Sequence, residues 1–227
     1  LGRATSVTIA AGTPDEAVQQ FEYDAAGNVS AFIDEEGNRT EFEYDSLSRF
    51  TRVTEADPDG AGPLTSPVST FVYDEAGNLV TQTDAKNVTT IFQYDARNRL
   101  ISETDALQNV TRFTYDGLGN LLSMIDPLSN ETRFEYDARN RLVRQTDPDQ
   151  GVATFEYDAD DNLNLVRDPS ANVTRYTYDA RNRITSELDP RGNVTSYTYD
   201  PVDNLTSKVD RNGRETQYVY DEVDRLL

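Results

Sequence analysis

The sequence contains no cysteine, no histidine and no tryptophan, and only one methionine. Without cysteine there are no disulfides, thiolate metal sites or thiol nucleophiles. Without histidine the commonest metal ligand is missing, as is the only side chain whose unperturbed pKa lies near neutrality, a strong cut against catalysis. No apolar run approaches the roughly 20 residues that span a bilayer, so membrane insertion is not expected. No basic-then-apolar leader opens the chain, which starts at Leu1 rather than methionine and reads as a processed chain or a piece of something longer. Positive charge is scarce: 21 Lys and Arg face 41 Asp and Glu, a formal charge of −20. That balance repels nucleic acid and anionic membranes, so neither is an expected partner, and it attracts cations and basic proteins. High net charge with low hydropathy is also the signature of disorder, and only strong internal order would answer it.

That order is a repeat. The dipeptide Tyr-Asp recurs ten times, at Tyr23-Asp24, Tyr44-Asp45, Tyr73-Asp74, Tyr94-Asp95, Tyr115-Asp116, Tyr136-Asp137, Tyr157-Asp158, Tyr178-Asp179, Tyr199-Asp200 and Tyr220-Asp221. Every interval is 21 residues except the second, which is 29. Two residues before each tyrosine stands another aromatic, from Phe21 to Tyr218, and four before it stands Thr in seven units. Thr-x-aromatic-x-Tyr is a period of two in strand-favouring residues, which predicts a strand ending at Tyr-Asp.

Four residues past each tyrosine the residue is Gly, Asn or Asp in nine of ten units, with Ser48 the exception. These types tolerate left-handed backbone, so a hairpin turn is predicted, with the Asp of Tyr-Asp accepting turn amides. An apolar residue returns six past the tyrosine, as at Val29 and Leu100, and opens a second strand ending near an Asp eleven past it, as at Asp84 and Asp105. Strings such as DPSAN and DPRGN mark a second turn there. The predicted fold is therefore all-β, a tandem array of 21-residue β-hairpins in one continuous spiralling antiparallel sheet. A lone hairpin is unstable, so the units must pair edge to edge, and the aromatic face must be covered by closure, stacking or assembly. Residues 1–227 are read as a single array of ten units, with 56–67, ADPDGAGPLTSP, a loop insertion in the second interval.

A longer period hides within the first. Five residues past the tyrosine Asn and Arg alternate strictly, from Asn28 and Arg49 to Asn204 and Arg225, a superperiod of 42 residues. Duplication of an ancestral pair of units with spaced arginines accounts for this; so does a different environment for odd and even hairpins.

The frame aromatic-x-Tyr-Asp-x-x-Gly-Asn/Arg-Leu, then Asp-Pro-x-Gly-Asn, resembles the RHS or YD-repeat family across about residues 20–227. This family includes shell repeats of bacterial polymorphic toxins, cocoon subunits of insecticidal toxin complexes, wall-associated proteins and teneurins. The resemblance implies a strip of hairpins spiralling into a hollow shell, extracellular, secreted or at the cell surface, which in the toxins encloses a C-terminal payload. The family's C-terminal core signature, with its self-cleaving aspartates, is not among these residues.

The candidate chemistry is thin. A carboxylate pair for glycoside hydrolysis should be singular, whereas these aspartates come once per unit and serve as turn caps. No GxxxxGK loop is present, so no catalytic or cofactor-binding residues are predicted. Calcium is the one cofactor to weigh, at Asp57 and Asp59 before Gly60, or at Asp158, Asp160 and Asp161. Eight Asn-x-Ser/Thr sequons occur, and they follow mostly from a turn Asn preceding a strand Thr. The expected role is a non-catalytic structural module, a shell or scaffold that associates with itself or with other repeats of a longer chain. The alternatives are an adhesive or filament-forming protein, and a carbohydrate-binding surface on rings such as Tyr197 and Tyr218.

Overall fold

The computed structural model describes residues 3–9, 17–59 and 64–227. Leu1, Gly60 and part of the 56–67 insertion lie outside the described residues. The chain divides into two compact units, Leu1–Phe113 and Thr114–Leu227. The first holds β1 (Ser6–Ile9), β2 (Ala17–Tyr23), β3 (Val29–Ile33), β4 (Arg39–Tyr44), β5 (Phe50–Thr54), β6 (Val68–Tyr73), β7 (Leu79–Thr83), β8 (Thr89–Tyr94) and β9 (Leu100–Thr104), and β10 (Val110–Tyr115) contains the division. The second holds β11 (Leu121–Ile125), β12 (Glu131–Tyr136), β13 (Leu142–Thr146), β14 (Val152–Tyr157), β15 (Leu163–Arg167), β16 (Val173–Tyr178), β17 (Ile184–Leu188), β18 (Val194–Tyr199), β19 (Leu205–Val209) and β20 (Glu215–Gln217).

The fold is all-β, and no helix occurs among the described residues. Within each unit every strand pairs antiparallel with its neighbour in the chain, as β4 with β5 and β16 with β17. Both strands of a pair are short because a turn former arrives every ten or eleven residues. The alternation behaves as the sequence requires: in β4 the side chains of Thr40, Phe42 and Tyr44 are half-buried, while Arg39, Glu41 and Glu43 are exposed.

One feature of register breaks the simple alternation. Tyr44 faces Phe50 but Glu43 faces Arg52, so Thr51 is an extra residue in β5. The same slip follows Tyr23, Tyr73, Tyr94, Tyr136, Tyr157, Tyr178 and Tyr199. A β-bulge of this kind lets residues six and nine past the tyrosine share the aromatic face despite their odd spacing. In the first unit it brings Phe50 against Tyr44, with ring centroids 4.7 Å apart, and Phe32 against Phe21 at 5.3 Å.

Small residues are the buried ones on the opposite face. Ala31, Ser102 and Ser123 are the buried residues among those described, and no large side chain is fully buried. The rings are thus half-covered by neighbouring strands rather than sealed in a core.

Candidate functional site: the turn ladder

All ten tyrosines of the repeat end a strand or stand in a bridge beside a turn, and all ten aspartates open that turn. At Asp179 the backbone N–H donates to the Arg183 carbonyl at 2.9 Å, and the Asn182 N–H donates back to the Asp179 carbonyl at 3.0 Å. Asp179 Oδ1 accepts the N–H groups of Arg181 and Arg183 at 2.9 and 3.1 Å, while Oδ2 accepts Arg183 Nε at 2.8 Å. One carboxylate therefore satisfies three donors of a single turn. At Asp116 the arrangement is the same with asparagine: Oδ1 accepts Leu118 and Asn120 N–H at 2.8 and 2.9 Å, and Oδ2 accepts Asn120 Nδ2 at 2.8 Å. The residue four past the tyrosine is left-handed in every unit, from Gly27 (φ 98°) and Ser48 (58°) to Asp203 (77°) and Asp224 (60°). This is the three-residue hairpin loop in which a type I turn is followed by a left-handed residue.

The second turn of most units repeats the device, which the turn-former pattern alone does not reveal. Asp34 Oδ1 accepts Asn38 N–H at 2.8 Å and Oδ2 accepts Asn38 Nδ2 at 2.8 Å, and Asp105, Asp126, Asp168 and Asp189 do the same with Asn109, Asn130, Asn172 and Asn193. The signal is an Asp followed four residues later by Asn, at eleven and fifteen past the tyrosine. It is masked because the left-handed position there holds Gln108, Ser129 or Ala171 as readily as glycine.

The electrostatics follow from this bonding. Hydrogen bonds from the Asn28 and Asn120 amides hold the carboxyls of Asp24 and Asp116 below their ordinary value. The Arg99 guanidinium draws Asp95 down to about 2.

Each turn also reaches its neighbour. Tyrosine hydroxyls donate to the carbonyl six past the preceding tyrosine: Tyr44 to Val29 at 2.8 Å, Tyr157 to Leu142 at 2.9 Å, Tyr178 to Leu163 at 2.9 Å and Tyr220 to Leu205 at 3.1 Å. Phenylalanine could not make this bond. In odd units the asparagine amide donates to the next turn's left-handed residue, Asn78 to Asn98 and Asn120 to Asn140 at 3.0 Å, Asn162 to Asn182 and Asn204 to Asp224 at 2.9 Å. In even units the arginine lies over the next tyrosine ring, Arg49 over Tyr73 at 4.3 Å, Arg141 over Tyr157 at 4.5 Å and Arg183 over Tyr199 at 4.6 Å. Arg141 and Arg183 also donate to Asp161 and Asp203 at 2.6 and 2.7 Å, joined there by Arg139 and Arg181.

Hydrogen bonds and ion pairs engage four of the five calcium candidates, Asp57, Asp59, Asp158 and Asp161. Asp158 Oδ1 accepts Asp160 and Asn162 N–H, its Oδ2 accepts Asn162 Nδ2, and Asp161 Oδ1 is held by two arginines. Asp57 accepts Asp59 N–H, and Asp59 accepts Leu64 N–H, both at 3.2 Å. Among the described residues no three carboxylates converge on a point that could hold a metal ion.

The teneurin YD-shell family model matches residues 3–120, and the RHS repeat model matches five overlapping windows, 115–152, 136–173, 157–194, 178–210 and 199–227. No curated protein matches. Among solved structures the chain is similar to the TcdB2-TccC3-TEV crystal structure, at 19% identity and a TM-score of 0.70, over 94% of this chain and 13% of that one. It is similar to TcdB2-TccC3 without its hypervariable C-terminal region, at 19% identity and a TM-score of 0.71, over 92% and 13%. It is also similar to the Photorhabdus luminescens Tc holotoxin pore, at 18% identity and a TM-score of 0.64, over 94% and 13%. The chain thus spans about 13% of the length of these structures, and at such identities the likeness is one of fold. With both family models laid on a ladder of Tyr-Asp hairpins, the chain belongs to the RHS/YD-repeat family.

Proposed function

We propose that this chain is a non-catalytic structural segment of an extracellular RHS/YD-repeat protein, a stretch of wall in a shell or scaffold. The observation that carries this reading is the use of its polar residues. The repeated carboxylates are bonded to their own turns, and the repeated Asn, Arg and Tyr groups bond one turn to the next, so the chemistry is spread evenly along the chain rather than gathered at a site. The half-covered aromatic face supports the same reading, since a surface of this kind gains from cover by further repeats of a longer chain or by an enclosed payload. The acidic surface, with a net charge of −20, keeps the outside solvated and separate.

Negative-stain electron microscopy with light scattering across concentration tests this. Discrete curved or hollow particles of constant mass are expected. Long fibres of uniform width, with mass rising with concentration, would instead establish the filament-forming alternative.

A second reading, carbohydrate contact, is favoured by one place. The Tyr197 ring, with Lys208 Nζ 5.8 Å from its centroid, borders a cavity of about 140 Å³ shared with Glu187, Asp189, Asn193 and Arg211. A ring beside such polar groups suits a sugar. Glycan binding that disappears in Tyr197→Ala, with the melting temperature preserved, is the result this reading requires.

A further inference from the structure

The alternation of Asn and Arg raises the question of which hairpin can lie beside which. In the second unit the residues four and five past the tyrosine read Gly119-Asn120, Asn140-Arg141, Asp161-Asn162, Asn182-Arg183, Asp203-Asn204 and Asp224-Arg225. The donor is the fifth residue of one turn, and the receiver is the fourth residue of the next. Asparagine donors meet Asn140, Asn182 and Asp224, each offering a side-chain oxygen at 2.9–3.0 Å. Arginine donors meet Asp161 and Asp203, each offering a carboxylate, with a tyrosine ring beneath the guanidinium. In the first unit the receiver under Arg49 is Gly77, and a Cβ built there would stand 3.3 Å from Arg49 Nη1. For Arg49, Arg141 and Arg183 the receiver is thus a carboxylate or no side chain at all.

Two turns of the same arginine type placed side by side would lose this match. At turns such as Asn140-Arg141 and Asn182-Arg183 the incoming arginine would then face an amide and a second arginine, trading a charge-assisted bond for like-charge repulsion. Each arginine with a following turn is largely covered: the Arg49, Arg141 and Arg183 side chains are 27%, 23% and 21% exposed.

We propose that these two positions form a pairing code between hairpins. The working module is then the 42-residue pair rather than the 21-residue repeat. A Tyr-Asp hairpin that joins an arginine-type turn, whether from the same chain or from another, must be asparagine-type with Asp or Gly at its left-handed position. This goes beyond the scaffold reading, because it specifies which repeats can be neighbours whatever the array encloses.

Deletions in the full chain test the code. Removing residues 158–178 joins Tyr157 to Asp179 and sets Arg141 beside Asn182 and Arg183. Removing residues 158–199 joins Tyr157 to Asp200 and sets Arg141 beside Asp203, as the code requires. In a repeat array without a code, stability falls with each unit lost, so the larger deletion would melt first. The code predicts the reverse, with the single-unit deletion melting lower by roughly 3 °C or more. It further predicts that Asn182→Asp with Arg183→Asn, introduced into the single-unit deletion, recovers most of that difference. The amide introduced by Arg183→Asn would then face Asp203, a match already seen between Asn204 and Asp224 at 2.9 Å. A single-unit deletion that melts at or above the two-unit deletion would overturn the code, and so would a failure of the double substitution to rescue it.

Discussion

The two units build the same hairpin with different chemistry. In Leu1–Phe113 aromatic rings meet across the sheet, Phe21 with Phe32, Phe42 with Phe50 and Tyr44 with Phe50, and Gly77 makes room for Arg49. In Thr114–Leu227 the positions matching Phe32 hold Met124, Gln145, Val166, Glu187 and Lys208, as Val53, Gln82 and Glu103 do in the later hairpins of the first unit, and the place of Gly77 is held by Gly119, Asp161 and Asp203, the two aspartates each gripped by two arginines. The family models divide near the same place, teneurin YD-shell to residue 120 and RHS repeat from residue 115. The turn geometry is constant and the surroundings are not, so the Asp cap and the left-handed residue define the hairpin. Ring contacts fasten the two strands of one hairpin, as at Phe21 and Phe32, whereas ion pairs such as Arg141 to Asp161 fasten one hairpin to the next.

Acid should erase the difference, and its effect is the largest expected. Turn carboxyls in both units, among them Asp24, Asp95, Asp116 and Asp179, have folded values below the ordinary carboxylate range. A depressed carboxyl stabilises the fold fully above its unfolded value, and that stability is lost as pH falls through the folded one. Melting followed by circular dichroism should therefore stay level down to about pH 5 and fall steeply from about pH 4. The loss continues towards about pH 2, where Asp95 protonates, and both units should go together.

Phe32→Ala should separate the units. It removes the ring facing Phe21, and it should lower the melting temperature by several degrees, more than Val166→Ala at the matching position facing Phe155. Equal losses would mean that the rings of the first unit contribute only area. Tyr178→Phe deletes the hydroxyl that donates to the Leu163 carbonyl and should cost about 1 kcal/mol in denaturant unfolding, with the hairpin itself intact. Salt should have the smallest effect: raising ionic strength from about 0.01 to 1 M screens the exposed Asp161 and Asp203 pairs and should speed amide exchange there more than at Gly77.

Much of this was legible in the sequence, because a strand of Thr, Phe and Tyr followed by Asp and a left-handed residue is a local pattern repeated ten times. What stayed hidden depends on neighbours. The bulge that leaves residues such as Ser30 and Thr51 unopposed has no turn-forming residue to announce it, since register is set across strands. The reach of a tyrosine hydroxyl to a carbonyl fifteen residues earlier, and of Asn162 to Asn182, appears only when hairpins lie side by side. The Asn/Arg alternation was visible in the sequence, but its pairing with Tyr157 and Asp161 was not. The extra oxygens at Asp158 and Asp161 that suggested calcium belong to a turn and to an inter-turn ion pair.

The most direct test of the account is hydrogen–deuterium exchange on the full chain, read at the amides four and five residues past each tyrosine. Those amides donate to the Asp carbonyl and to its Oδ1, as Asn182 and Arg183 do at Asp179. The account predicts protection at every turn, recurring with the 21-residue spacing and with the one 29-residue interval, in both units. Turn amides that exchange as fast as an unstructured peptide, or protection confined to a few turns around one locus, would contradict it.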